Sequence, residues 1–182
     1  MKSRWDKFLF ICLVLSLTVG CDQTTKRVAE RTLKGSPVRS MLKDTFRLQF
    51  VKNTGGFLGF GAKFPSRLKF WGFTIFPIVA LLGMFLFGLF SREMGFWHLL
   101  MLMLIVGGGA GNLLDRLLLS GEVTDFMNMG IGSLRTGIFN VADVAIMVGM
   151  FGLIGLNFQR PRPKFPEHLW NQEERDYVYG KK

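Results

Sequence analysis

Long uncharged apolar runs limit this chain to few folds. Phe70 to Phe90 is 21 residues without a charge, and Met94 to Leu114 is a second run of 21. Thr136 to Gln159 is 24 residues with one charge, Asp143. About 20 consecutive apolar residues cross the hydrocarbon core of a bilayer as a helix, so each run predicts a membrane span. A water-soluble fold is a poor alternative. The chain has 182 residues, 49% of them hydrophobic, and a domain of that size has too little interior to hide them.

A fourth run, Phe8 to Cys21, has only 14 uncharged residues. Lys2, Arg4 and Lys7 precede it, and small residues lead up to Cys21, as in a lipoprotein signal peptide. Against that reading, Thr18 stands three before the cysteine, where a lipid-attachment box has a branched apolar residue. As a span, the run lengthens at its start because Lys7 can snorkel to the interface. Cys12 and Cys21 would lie about 13 Å apart along one helix, too far to bridge.

Taken as a span, this run completes an all-α membrane protein with a small β element. Spans are expected at about 8 to 21, 70 to 90, 94 to 119 and 138 to 159, in a single integral membrane domain of residues 1 to 159. Loops fill 22 to 69 and 120 to 137. A polar, basic tail follows from 160 to 182, where the prolines of RPRPK cannot continue a helix. In the long loop, Phe46, Leu48 and Phe50 alternate with polar residues, which is strand periodicity. NTGG then supplies a turn. VTDFM, 123 to 127, is β-prone and can join the strand in a small sheet-like platform at the membrane surface.

The net charge of +10 resides beside spans or in the long loop, which suits anionic lipid head groups better than nucleic acid. The N-terminus, the SRE turn at 91 to 93 and the tail hold ten Lys/Arg against eleven in the 22 to 69 loop, so a bare count does not orient the chain. Weighting the short segments nearest the spans puts both termini inside.

Four antiparallel spans bring the end of span one, the start of span two, the end of span three and the start of span four to one side. Asp22, Asp115, Asp125 and Asp143 all lie there, whereas the other side has Asp6, Glu93 and the tail acids. A charge within a span is costly and marks function by default. Asn112, Asp115 and Arg116 are three and four residues apart and share a face of span three; Asn140 and Asp143 share a face of span four. Gly107 and Gly111 form a small-xxx-small pair that lets another helix approach this face. Asp115 with Arg116 reads equally as a structural ion pair, and Asp22 with Lys26 as a helix-end pair. Asp125 and Asp143 have no cation within their own motifs, VTDF and FNVAD. Two such carboxyls resist joint ionisation and share a proton, so one activates water while the other polarises a carbonyl. His98 belongs to the far end of span three and His168 to the tail, so no Ser–His or Cys–His pair and no zinc cluster is expected at the acidic end.

Five motifs in order, DQTTK (22 to 26), NTGGF (53 to 57), GGGAGNLLDR (107 to 116), VTDF (123 to 126) and FNVAD (139 to 143), resemble those of the lipoprotein signal peptidases, or signal peptidase II. The resemblance covers residues 8 to 159. It implies a four-helix membrane aspartyl endopeptidase of the bacterial inner membrane with a short periplasmic platform, both termini cytoplasmic and the site near the periplasmic face. Its substrates would be prolipoproteins, cut just before a diacylglyceryl-modified cysteine. By motif match Asp125 and Asp143 form the catalytic pair, and Asp22, Lys26, Asn53, Gly55, Asn112, Asp115, Arg116 and Asn140 support the site or substrate. Arg116, held by Asp115, would donate to substrate carbonyls. Asn112 and Asn140 would orient the pair or the substrate backbone, and Asn53 and Gly55 would hold a lid. The resemblance implies no metal or organic cofactor, a monomer in contact with membrane lipids, and binding of globomycin-type inhibitors. One departure is that only Gly56 separates Gly55 from Phe57, which bears on the register of that loop. Two other readings stand beside this one: a small proton-coupled transporter, since acids in spans also mark proton paths, and a lipoprotein processed at Cys21.

Overall fold

The structure is a computed structural model, and it describes residues 3 to 56 and 60 to 158. The tail from 160 to 182 and Phe57 of the loop motif lie outside the described residues. The elements run α1 (Arg4–Leu33), β1 (Arg39–Met41), β2 (Phe46–Asn53), α2 (Ser66–Phe70), a π-helical segment (Trp71–Ile75), α3 (Phe76–Phe90), α4 (Phe96–Leu118), β3 (Val123–Ile131), β4 (Leu134–Arg135) and α5 (Val141–Phe158). From α2 to α3 the chain is one continuous helix, Ser66–Phe90. With α1, α4 and α5 this makes four helices among the described residues that are long and apolar enough to cross a membrane, as the apolar runs predict.

Helix α1 differs from the expected 8 to 21. It starts on a capping box in which Ser3 and Asp6 satisfy each other's backbone N–H groups. It then passes through Cys21 without a break and ends at Leu33, so Asp22 and Lys26 sit within the helix rather than at its end. The cause is a stripe spaced by three and four residues: Ile11, Val14, Thr18, Asp22, Lys26, Ala29 and Leu33 are its buried positions. The stripe's lower part packs on α4, where Ile11 and Val14 join Leu99, Leu102, Met103 and Val106. Its upper part, Ala29 and Leu33, packs under the sheet against Phe126, Leu48 and Phe50. Some 30 residues of helix span about 45 Å, longer than a hydrocarbon core of about 30 Å, which leaves the last turns to hold up the platform.

The platform is a four-stranded antiparallel sheet in the order β1-β2-β3-β4. VTDFM joins it as the start of β3. Asn53 pairs with Val123 and Val51 with Asp125, and a bulge between Leu48 and Val51 shifts the register. Asn53 and Asp125 thus become diagonal neighbours. Phe139 bridges to Met127, its N–H donating to the Met127 carbonyl at 2.8 Å, and this sets residue 140 beside residue 125.

Helix α4 is the centre of the bundle and touches α1, α3, α5 and β3. Its glycines admit these neighbours: Thr18 of α1 lies over Gly107, and the backbone of Ala142 at the start of α5 lies over Gly108. A Cβ on Gly108 would collide with the Ala142 carbonyl oxygen, which cannot swing aside as a side-chain tip does. Gly108→Ala is therefore expected to cost about 1–3 kcal/mol through overpacking. Gly20→Ala, with nothing within 4 Å of the new methyl, should be neutral or slightly stabilising. Thermal unfolding of the two variants in detergent checks the contrast.

Candidate active site

All ten residues singled out in the sequence meet at the end of the bundle under the sheet, in two adjoining hydrogen-bond clusters. The first surrounds Asp125 and Asp143. The sequence places Asn140 inside the fourth span; in the structure it precedes α5 and caps it. Its Oδ1 accepts from the Asp143 N–H at 2.9 Å, and its own N–H donates to Asp143 Oδ2 at 3.1 Å. This is a reciprocal capping arrangement at three-residue spacing. It leaves the Asn140 side-chain amine free to turn to the sheet, where it donates to Asp125 Oδ1 at 2.6 Å. One fully buried residue thus hydrogen-bonds to both carboxyls.

The remaining carboxylate oxygens are held from other elements. Asn112 of α4 donates through Nδ2 to Asp143 Oδ1 at 2.9 Å, and Asn53 of β2 donates through Nδ2 to Asp125 Oδ2 at 2.9 Å. Both acids are buried, and among the described residues neither takes part in an ion pair. Asp125, on the sheet, has its carboxyl pushed up to about 6. Burial is the main cause; the Asn53 hydrogen bond opposes it and the negative charge of Asp143 adds to it.

The second cluster supports the first. Lys26 Nζ lies 2.8 Å from Asp22 Oδ2 and 3.2 Å from Asp115 Oδ2, all three side chains at 5% exposure or less. Lys26 also donates to Asn112 Oδ1 at 2.9 Å. With Asn140 Nδ2 donating to the same oxygen at 3.0 Å, the Asn112 amide has one orientation open to it, the one that aims its amine at Asp143. Asp22 Oδ1 accepts from the Ala142 N–H at 2.9 Å, so α1 satisfies a second donor at the start of α5. The favourable field of a helix N-terminus acts on both Asp22 and Asp143.

The expected pairing of Asp115 with Arg116 does not form. Consecutive residues on a helix point about 100° apart. Asp115 turns instead to Lys26, to the Thr124 N–H at 2.9 Å and to Gln23 Nε2 at 2.8 Å. Arg116 turns the other way. Its Nη2 donates to the Gly55 carbonyl at 2.8 Å, and its buried Nε has no acceptor among the described residues. The Asn53 side chain folds its own turn, accepting from the Gly55 N–H at 2.8 Å and donating to the Gly56 carbonyl at 3.0 Å. Beside this loop lies a cleft of about 480 Å³, walled by Thr54, Phe70, Phe73, Thr74, Arg116 and Glu122 among others.

Sequence reasoning missed Gln23 and Thr124. Gln23 Nε2 reaches Asp22, Asp115 and the Gly111 carbonyl, and the Thr124 N–H anchors Asp115 to the sheet. Gln23 stands three residues before Lys26 on the same face, which is the signal that would have found it. A backbone donor such as that of Thr124 carries no residue signal. Among the described residues no three His, Cys, Asp or Glu converge as a metal site requires.

Fold and site define a multi-pass membrane protein with a buried carboxyl pair beneath a small sheet. The chain belongs to the Signal peptidase (SPase) II family, which matches residues 14–158 and is a family of proteases. It is 35% identical over 159 residues to a lipoprotein signal peptidase of Borrelia duttonii, covering 85% of this chain and 92% of the relative. A lipoprotein signal peptidase of Maridesulfovibrio salexigens is 31% identical over 151 residues, covering 82% and 95%. Two solved bacterial membrane enzymes share the fold. One superposes with a TM-score of 0.73 at 24% identity over 87% of this chain and 93% of the other; the second gives 0.67 at 23% over 84% and 94%. The family assignment sets aside the transporter reading.

Proposed function

We propose that the chain removes signal peptides from prolipoproteins by aspartyl chemistry, with Asp125 and Asp143 as the catalytic pair. The observation that carries this reading is the double hydrogen bond of Asn140, which binds both carboxyls to one residue at a buried site. The pair holds one proton. Its carboxylate takes a proton from a water molecule, whose oxygen attacks the scissile carbonyl carbon. The protonated partner donates to the carbonyl oxygen as the tetrahedral intermediate forms. Collapse of that intermediate breaks the C–N bond: the proton held by the pair goes to the leaving amine, and a hydroxyl of the gem-diol returns its proton to the other carboxylate as the carboxyl product forms, which restores the singly protonated pair. The four donors from Asn53, Asn112 and Asn140 keep the carboxyls in place throughout, so no reorganisation is needed at the moment of reaction.

Around this centre the supporting residues take distinct roles. Arg116 latches the 54 to 56 turn over the site through Gly55 and offers its Nε, which has no acceptor among the described residues, to a substrate carbonyl. Asn53 and Gly55 form the lid, and its opening admits the peptide. Asp22, Lys26 and Asp115 form a scaffold that orients Asn112 and caps α5. The substrate is a prolipoprotein carrying a diacylglyceryl group, cut before the modified cysteine. The enzyme acts as a monomer in the bacterial inner membrane, with both termini cytoplasmic and the pair near the periplasmic face. Globomycin-type inhibitors compete for the same cleft. Residues 1 to 159 act as one integral membrane domain.

Asp125 yields a pH prediction. Its carboxyl is raised from the ordinary 3.8 to about 6, so the proton that the pair needs is present below that value and lost as pH rises through it. The alkaline limb of kcat/KM for the free enzyme is therefore expected near pH 6. Asn53 holds Asp125 down by donating to the ionised form, so Asn53→Ala should move that limb upward. A pH series of cleavage rates on both proteins checks the sign. A limb that moves downward in the variant would rule out Asp125 as the group that titrates.

A further inference from the structure

At the end of the bundle away from the carboxyl pair, a cleft of about 830 Å³ opens between the start of α1 and the turn joining α3 to α4. Lys7, which lines it, precedes Asp22 on the same helix by a rise of about 22 Å. The signal peptidase reading does not use this cleft. Its walls are of two kinds. Arg4, Lys7 and Arg92 bring three cations, and Trp5, Phe8 and Phe90 bring aromatic faces.

The cations are placed for a ligand outside the protein. Lys7 Nζ donates to the Ser91 carbonyl at 2.6 Å, which ties α1 to the turn that carries Arg92. That bond is to a neutral carbonyl and does not neutralise the Lys7 charge. Among the described residues, none of the three cations is in an ion pair. The nearest acids in sequence are Asp6 and Glu93, and Asp6 is engaged with the Ser3 backbone N–H in the helix cap. The apolar walls face outward: Trp5 is 75% exposed and Phe90 73%. Tryptophan at a helix end, as Trp5 is, belongs to the head-group level of a bilayer, and cations beside it meet phosphate there.

We propose that this cleft binds the head group of an anionic glycerophospholipid. Its phosphate lies among Arg4, Lys7 and Arg92, and its acyl chains follow the groove past Phe8 and Phe90. A soluble phosphate would satisfy the cations but leave the apolar walls uncovered, which is why a lipid fits better. Three positive groups against one phosphate also favour a head group with no cation of its own, such as phosphatidylglycerol, over a zwitterionic one.

The test is lipid retention. The full-length protein is equilibrated in detergent with equal amounts of phosphatidylglycerol and phosphatidylcholine, and retained lipid is read by native mass spectrometry. The wild type should keep phosphatidylglycerol in preference by on the order of tenfold. Arg4→Gln/Arg92→Gln should lose most of that preference, and Arg92→Lys should keep it, with thermal melts confirming that each is folded. If the double variant fails to fold, single Arg92→Gln is read against Arg92→Lys. No preference in the wild type would overturn the proposal, as would an undiminished preference in the Gln variants. Displacement of the lipid by an equal concentration of inorganic phosphate would also overturn it, because the site would then be one for a soluble anion.

Discussion

Asp143→Asn and Asp125→Asn should each lower the rate of prolipoprotein cleavage by about 10³-fold or more while leaving the protein folded. Each change keeps the shape of the side chain but removes the charge and the exchangeable acid proton, and general acid–base steps contribute about 10²–10⁴-fold each. The two losses should not add, because the pair acts as a unit on one proton. Folding should survive because the surrounding groups are amides that can re-pair: Asn112, Asn140 and Asn53 offer both donors and acceptors. Activity within tenfold of wild type in either variant would remove that residue from the catalytic pair. A matching loss of thermal stability would mean that a structural group had been changed.

Lys26→Met should produce the largest loss of stability, about 3–5 kcal/mol, because it leaves two buried carboxylates without their cation. Methionine fills nearly the same volume, so packing is not the cause. Activity should fall as well, because Lys26 is one of the two donors that fix the Asn112 amide, and a freed amide can present its oxygen to Asp143. Combining Lys26→Met with Asp115→Asn should recover part of the stability by removing one uncompensated charge. Thermal unfolding of the single and double variants in detergent measures both effects. An additive double variant would show that Lys26 and Asp115 are not coupled.

Much of this was legible because a bilayer imposes a length. Apolar runs that match its thickness announce spans, and antiparallel spans decide which charges meet. The limits of α1 were less legible. Apolarity predicts a span that stops at Cys21, whereas the helix is specified by a stripe that continues through Asp22 and Lys26 to Leu33. Two of its central positions are charged, and a polar residue on a buried stripe looks like the end of the stripe. Pairing partners were harder still. Asp115 beside Arg116 invited an ion pair, but adjacent helical residues diverge, and the partner of Asp115 stands on another helix. Asn140 lies within the apolar run that predicts the fourth span. Its spacing to Asp143 is that of a capping box, so its role as a cap could have been read from FNVAD. The contact of Gly55 with Arg116 joins a loop to a helix 61 residues further on and has no local pattern.

Cys21 is exposed on α1, one residue before the fully buried Asp22. Cleavage before Cys21 would leave Asp22 and Lys26 in the chain but remove the part of α1 that holds them against α4, where Ile11 and Val14 join its core and Thr18 lies over Gly107.

The most direct test of the central claim is to identify the bond that is cut. Purified protein is incubated with a prolipoprotein precursor in two forms, with and without a diacylglyceryl group on its cysteine, and the products are identified by intact mass. The expected result is one cleavage in the modified precursor, leaving the lipidated cysteine as the new N-terminus, with the unmodified precursor uncut and both reactions blank in Asp143→Asn. Cleavage at another bond, equal cleavage of the unmodified precursor, or full activity in Asp143→Asn would contradict it.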